Sequence, residues 1–159
     1  MTKSSQPMAH LDERGAMRMV DVGSKTATHR IAIAAARVMM STTTLAALRD
    51  DAVPKGDVFA AARLAGIQAA KRTWELIPLC HPIALSHVAI DLEQHAWGVL
   101  VRARAETTSA TGVEMEAMTA ASVAALTLYD MLKSLEKGIE ITSVMLIEKH
   151  GGKSGSWAR

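Results

Sequence analysis

An α+β fold, with two main helices packed on one face of an antiparallel sheet, is predicted by three observations in the sequence. Apolar residues alternate at period two in residues 28–40, 86–92 and 97–106, as in strands with one buried face. Two long stretches, residues 58–76 and 111–137, instead repeat at helical spacing. With a last strand at residues 139–149, the order is β-α-β-β-α-β, the ferredoxin-like arrangement.

In chain order, residues 1–16 are polar, carry Pro7 and Gly15, and read as a disordered tail. Met19-Val20-Asp21-Val22 reads as a short strand. In residues 28–40, Ile31 and Ile33 alternate with Arg30 and small alanines, which favours a strand. The alanines leave a helix as the rival. Ser41 is placed to cap a short helix through Leu48. Pro54 and Gly56 mark a turn, and Asp57 caps the helix of residues 58–76. Its inner face carries Phe59, Ala62, Gly66, Ala69, Ala70 and Trp74, while Arg63, Lys71 and Arg72 leave another side basic.

Pro78 stops that helix, and Leu79-Cys80-His81-Pro82 forms a constrained turn. Residues 86–92 and 97–106 make a hairpin across residues 93–96. In the long helix, Thr111 and Glu114 fit a capping box, and Gly138 supplies the left-handed residue that ends it. Met115, Met118, Ser122, Ala125, Tyr129, Leu132 and Leu135 would face the core. A neighbouring stripe holds Glu116, Thr119, Val123, Leu126, Asp130 and Lys133. Residues 151–159, rich in glycine, read as a flexible tail, which leaves residues 17–150 as one domain.

The bulk properties exclude several function classes. With 159 residues the chain is long enough for one real core. Only 3% of residues are aromatic, too few for the stacking platforms of single-stranded nucleic-acid binding. The net charge of +2 is too small to imply nucleic acid, but it leaves cations for a small anion. Cys80 is the only cysteine, so no internal disulfide forms and a reducing compartment fits. No apolar signal segment and no membrane-length run occurs, so a soluble cytoplasmic protein is expected.

Several residues carry chemistry, each with a plainer alternative. Asp130 and Lys133 lie three apart: a surface helix pair, or an acid/base pair. A second cation beside them would lower the lysine's pKa and make it a proton shuttle. Lys55, before Gly56 and a helix start, is either an exposed turn lysine or a phosphate ligand. His81 is either a hydrogen-bonded turn residue or a proton donor near neutral pH. Arg102 and Arg104 share a strand face, as a solvated surface or an anion cradle. Glu114 is spoken for by the capping box, which leaves Glu116 the freer carboxylate. No histidine or cysteine spacing fits a metal site. Gly151-Gly152-Lys153-Ser154 looks like the end of a phosphate loop, but Ile147 stands where that pattern needs glycine. Glu116 and Asp130 lie about 40° apart around the helix and about 21 Å apart along it. They serve either two ends of a long ligand or two sites built from different subunits.

Three segments carry a resemblance: KGDVFAAARLAGIQAAKRTWELIPLCHP from Lys55, TGVEMEAMTAASVAALTLYDMLK from Thr111, and GGKSG from Gly151. From about Met19 to Gly155 the sequence closely resembles the MoaC family of molybdenum cofactor biosynthesis, the cyclic pyranopterin monophosphate synthases. The resemblance implies a lyase that converts (8S)-3′,8-cyclo-7,8-dihydroguanosine 5′-triphosphate to cyclic pyranopterin monophosphate and releases pyrophosphate. It implies a ferredoxin-like fold assembled as a homohexamer, a trimer of dimers, with sites at dimer interfaces. It assigns Asp130 as catalytic acid/base, and places Lys55, Lys133 and His81 in the active site. Leu79, Cys80, His81, Met115 and Glu116, with Glu114, match substrate-binding segments; Arg30 matches an arginine near the phosphates, and Lys149 and Lys153 match lysines near the tail. No redox step is implied, so no cofactor is required, although Mg²⁺ can accompany the triphosphate. The other function class that fits is a non-catalytic, nucleotide-sensing ferredoxin-like module.

Overall fold

The computed structural model describes residues 11–12, 14–153 and 155–159. Most of the expected tail, residues 1–10 and 13, lies outside them, as does Ser154. Where the tail is described, Leu11 bridges Met17 and Asp12 Oδ1 accepts from the Arg14 and Ala16 N–H groups.

The elements run β1 (Thr28–Met39), α1 (Thr42–Arg49), α2 (Val58–Lys71), α3 (Thr73–Leu76), β2 (His87–His95), β3 (Gly98–Ser109), α4 (Glu114–Leu132), β4 (Glu140–His150) and β5 (Trp157–Ala158). The sheet is ordered β2-β3-β1-β4-β5 and every neighbouring pair is antiparallel. This is an α+β fold with ferredoxin-like strand order.

Alternation along β1 and β3 explains how the helices sit. Ala32, Ala34, Ala36 and Val38 are fully buried and pair with Ala105, Ala103, Val101 and Val99, which are also fully buried. Such short side chains let α4 lie close, through its own buried Ala117, Ala120, Ala121 and Ala124. Leu128 and Leu132 fill what is left, each contributing about 2 kcal/mol by leaving water. Helix α2 packs beside α4: a Cβ at its Gly66 would press on the Ala120 carbonyl. The opposite sheet face is polar, with Arg104 paired to Glu106 at 2.7 Å and Arg102 to Glu93 at 3.8 Å. These pairs use the two arginines expected as an anion cradle.

The caps at Ser41 and Asp57 form as expected, accepting from the Thr44 and Ala60 N–H groups. Several other expectations are corrected. Residues 19–22 form no strand; their Val20 carbonyl instead accepts from His81. The predicted helix 58–76 is two helices broken at Arg72, and Trp74 turns outward. The hairpin turn is Ala96–Trp97, tighter than residues 93–96, since His95 already pairs with Gly98. Helix α4 ends at Leu132, before Gly138, whose φ is not positive. Its buried face is the alanine stripe; Met115 and Leu135 are exposed. The end of the chain adds an unpredicted strand, β5, on the edge of β4.

Gly98 holds the hairpin turn at φ 150°, and a Cβ there would collide with the Val38 carbonyl. Gly98→Ala is therefore expected to destabilise the protein by about 1–3 kcal/mol, read as a lower urea midpoint at constant m-value.

Candidate active site

The first cluster forms where β1, β4 and the loop before α4 meet. Glu114 opens α4, but Thr111 does not cap it: the N-cap position is Val113, with no side-chain bond. The expected capping box fails because Glu114 is drawn to Lys149 of β4, Nζ to Oε1 2.8 Å. Glu116, 4% exposed, points to the other side of the helix start. There it lines a cavity of about 390 Å³ with Leu79, Cys80, His81 and Met115. His81 Nε2 donates to the Val20 carbonyl at 2.8 Å. A carbonyl only accepts, so Nε2 carries the proton and Nδ1 is left as an acceptor.

A second cavity, of about 630 Å³, adjoins the first and shares its residues Lys25, Thr111 and Gly112. Arg30 and Lys153 line it. The Arg30 guanidinium is oriented by the Ser109 and Ala110 carbonyls at 3.0 and 3.3 Å, which leaves other N–H groups for an anion. The tail crosses directly over it: a Cβ at Gly152 (φ 74°) would collide with the guanidinium. Glycine at that position is what lets Lys153 reach the cavity. Leu79, Cys80, His81, Met115, Glu116, Arg30 and Lys153 thus line two adjoining cavities. Glu114, which also lines the first cavity, is held in an ion pair by Lys149.

The second cluster is at the opposite end of α4. Asp130 accepts from Lys133 Nζ at 2.6 Å through one oxygen and from Lys55 Nζ at 3.1 Å through the other. Lys55 also donates to the Asp130 backbone carbonyl at 2.7 Å. At the start of α2 the Asp57 carboxylate accepts the Ala60 N–H, and the Lys55 ammonium is turned to Asp130. Since Glu116 and Asp130 share one helix, about 21 Å separates the clusters. One chain does not bring all the expected residues together.

Comparison with known proteins places the chain. A family model described as the MoaC family matches residues 19–152. The chain belongs to the MoaC family. A relative from Novosphingobium aromaticivorans is 55% identical over 150 residues, covering 94% of this chain and 96% of its own. One from Thermomicrobium roseum is 54% identical over 154 residues, covering 96% and 93%. One from Brucella ovis is 53% identical over 156 residues, covering 97% and 94%. All three are named cyclic pyranopterin monophosphate synthase. The MoaC match contains both clusters except Lys153, which follows its last residue.

Electrostatics divide the carboxylates of this MoaC chain by role. Burial pushes Glu116 up to about 7; its own backbone N–H opposes this and the Glu114 charge adds to it. Glu116 can therefore hold a proton near neutral pH and donate it. Burial also raises Glu114, but the hydrogen bond from Lys149, its own backbone N–H and the Lys149 and Arg30 charges together hold it below the ordinary value. Cys80 is raised by burial and by the Glu116 charge, which favours its neutral thiol form. The hydrogen bond from Lys133, then that from Lys55, lowers Asp130. Lys133 is raised, chiefly by its bond to Asp130. The expected lowering of Lys133 by a second cation does not occur in the single chain, because each ammonium has its own carboxylate oxygen.

Among the described residues, no three His, Cys, Asp or Glu side chains converge on a metal-sized site, and no helix is long and apolar enough to cross a membrane. Lys25, which no sequence pattern singles out, lines both cavities. Its only sequence signal is the turn before it, where Asp21 Oδ1 accepts from the Gly23 N–H at 2.8 Å.

Proposed function

We propose that the chain is a cyclic pyranopterin monophosphate synthase, which converts (8S)-3′,8-cyclo-7,8-dihydroguanosine 5′-triphosphate to cyclic pyranopterin monophosphate and pyrophosphate. The observation that carries this is the pair of adjoining cavities. One has apolar walls and a protonatable Glu116, suited to the ring; the other has Arg30 and Lys153, suited to a polyphosphate. Relatives sharing over half the residues bear the matching name.

The chemistry needs proton transfers at the ring and charge neutralisation at the phosphates. Glu116, as a neutral acid, donates to a ring oxygen or nitrogen. His81, with Nδ1 open, accepts. A sugar hydroxyl attacks the α-phosphorus, its proton passes to a base, and the bridging oxygen leaves with pyrophosphate. Cationic side chains stabilise the charge that develops. Asp130 with Lys133 and Lys55 forms the acid/base group, brought to the cavities of another copy. The 21 Å offset along α4 supports this placement, as do the exposed Leu64, Trp74, Leu76 and Leu126 on the helices, which have a reason to be covered. The assembly is a homohexamer, a trimer of dimers, in the cytoplasm. Mg²⁺, where present, rides on the triphosphate's own oxygens, and no redox cofactor takes part.

Supplying the cyclised triphosphate to the purified protein is expected to release pyrophosphate, with sedimentation at six chain masses. Nucleotide binding without release would instead support a sensing module.

A further inference from the structure

We infer that Glu136 is a positioning residue: by anchoring the start of α1 to the end of α4, it holds Lys55 against Asp130. This deepens the synthase reading, in which Asp130 is the acid/base, and rests on it.

Lys55 sits in the turn that follows α1, so the placement of α1 decides where the ammonium goes. The helix has eight residues and is about 12 Å long. Thr44 is its one buried residue, while Leu45 and Leu48 lie half-buried on the core. Apolar contact of that kind is not directional and does not by itself fix how the helix is placed along the core. Directional bonds meet at Glu136. Its Oε2 accepts from the Thr44 hydroxyl at 2.6 Å, the Ser41 hydroxyl at 2.9 Å and the Ser41 N–H at 3.0 Å. The Thr44 hydroxyl first, and then the Ser41 N–H, hold the carboxyl below its ordinary value, so it accepts as a carboxylate at neutral pH. Hydrogen bonds to an ionised acceptor are roughly twice as strong as neutral ones.

Glu136 moves with the acid/base group. The Lys133 N–H donates to the Tyr129 carbonyl at 2.8 Å and the Glu136 N–H to the Leu132 carbonyl at 3.1 Å, which continues the last turn of α4. The exit of α1 is set as well. Asp51 takes a left-handed φ of 53°, and the Ala52 N–H closes on the Ala47 carbonyl at 2.9 Å, a helix stop that aims the next turn. The Gly56 N–H then bonds the carbonyl of Val53, whose side chain is buried. From this turn Lys55 reaches the Asp130 carboxylate at 3.1 Å and its carbonyl at 2.7 Å. The contacts close a ring that runs from α4 through Glu136, α1 and Lys55 back to Asp130. Opened at Glu136, the ring lets α1 shift and Lys55 leave Asp130.

The test follows two readouts in the full chain. One is pyrophosphate release; the other is acetylation of Lys55 by acetic anhydride, scored by mass spectrometry against the exposed Lys71. Glu136→Ala is expected to lower kcat by about 10–10²-fold with KM unchanged, the scale of a misplaced reacting group. Lys55, freed from Asp130, should acetylate faster relative to Lys71. Glu136→Gln, whose amide oxygen can accept from Thr44 and Ser41, should restore most of both. On a Lys55→Ala background, Glu136→Ala should cost little more, since it acts through Lys55. Thr44→Val removes the shortest bond while keeping the side chain's shape, and should move both readouts the same way by less; it carries the test if Glu136→Ala does not fold. An equal loss of kcat on the Lys55→Ala background marks a merely structural role and overturns the inference, as does unchanged kcat with an active parent. If the parent releases no pyrophosphate, the synthase reading fails. Acetylation then decides the anchoring separately: unchanged Lys55 labelling in Glu136→Ala and Thr44→Val overturns it, and faster labelling supports it.

Discussion

Asp130→Asn is expected to lower turnover by about 10²–10⁴-fold, the range for loss of a general acid/base, while the fold stays intact. The side chain is 56% exposed and, among the described residues, its ion pairs are with Lys55 and Lys133, so an isosteric amide disturbs little packing. What changes is charge. The carboxylate that holds both ammonium groups disappears, and with it the main cause of the raised Lys133 pKa. Pyrophosphate release measures the loss, and an unchanged unfolding midpoint excludes misfolding. Normal turnover would mean that Asp130 is not the acid/base. A mixing experiment tests where Asp130 acts. His81→Ala breaks the cavity cluster and Asp130→Asn the other. If each site draws on two chains related by a two-fold axis, co-refolding the two variants should recover about a quarter of parental turnover, since half the pairs are mixed and each holds one intact site. No recovery would place both groups in one chain's site.

Glu116→Gln is expected to remove a pH dependence of stability that the parent carries. Burial keeps this carboxyl protonated up to about 7 in the folded protein, against an ordinary value of 4.5. Between those values the native state binds a proton that the unfolded chain has released. The stabilising contribution is thus complete below pH 4.5 and is lost as pH rises through about 7. At 1.36 kcal/mol per unit, the loss reaches at most about 3 kcal/mol. Glutamine fills the same space without ionising. The variant should therefore exceed the parent in stability above neutral pH and converge with it in acid. Urea midpoints across about pH 5–8 would show the two curves crossing or separating; parallel curves would contradict the assignment. Activity carries a second signature. If the neutral acid donates to the ring, parental turnover should fall as Glu116 ionises, and that limb should vanish in the variant.

Much of the architecture could be read beforehand, for identifiable reasons. Alternation in β1 and β3, the caps at Ser41 and Asp57, and the breaker Pro78 are local signals, and local signals survive folding. The motif residues Leu79 to His81 and Glu116 also proved to share a cavity. The misreadings came where a distant partner competed. Glu114 left its capping position for Lys149, thirty-five residues away. Helical spacing from Met115 to Leu135 finds Ala125 and Leu132 of the buried face of α4 but misses Ala117, Ala120, Ala121 and Ala124, which closeness to an alanine-faced sheet selects. Lys55 reaches Asp130, seventy-five residues on, a pairing that no local signal announces. No periodicity marks Lys25, which lies where the two hollows touch.

If the proposed assembly holds, helix α4 carries one half of the chemistry on each of its ends, and its length becomes a ruler. Each added or deleted residue would turn one end by about 100° and slide it by about 1.5 Å relative to the other. Substitutions along the middle are tolerable wherever the alanines can be kept. Insertions and deletions should not be, on that proposal, because they would shift the Glu116 end and the Asp130 end out of phase with neighbouring copies at once. On the proposed assembly, the number of residues between Glu116 and Asp130 should then matter more to activity than the identity of most of them.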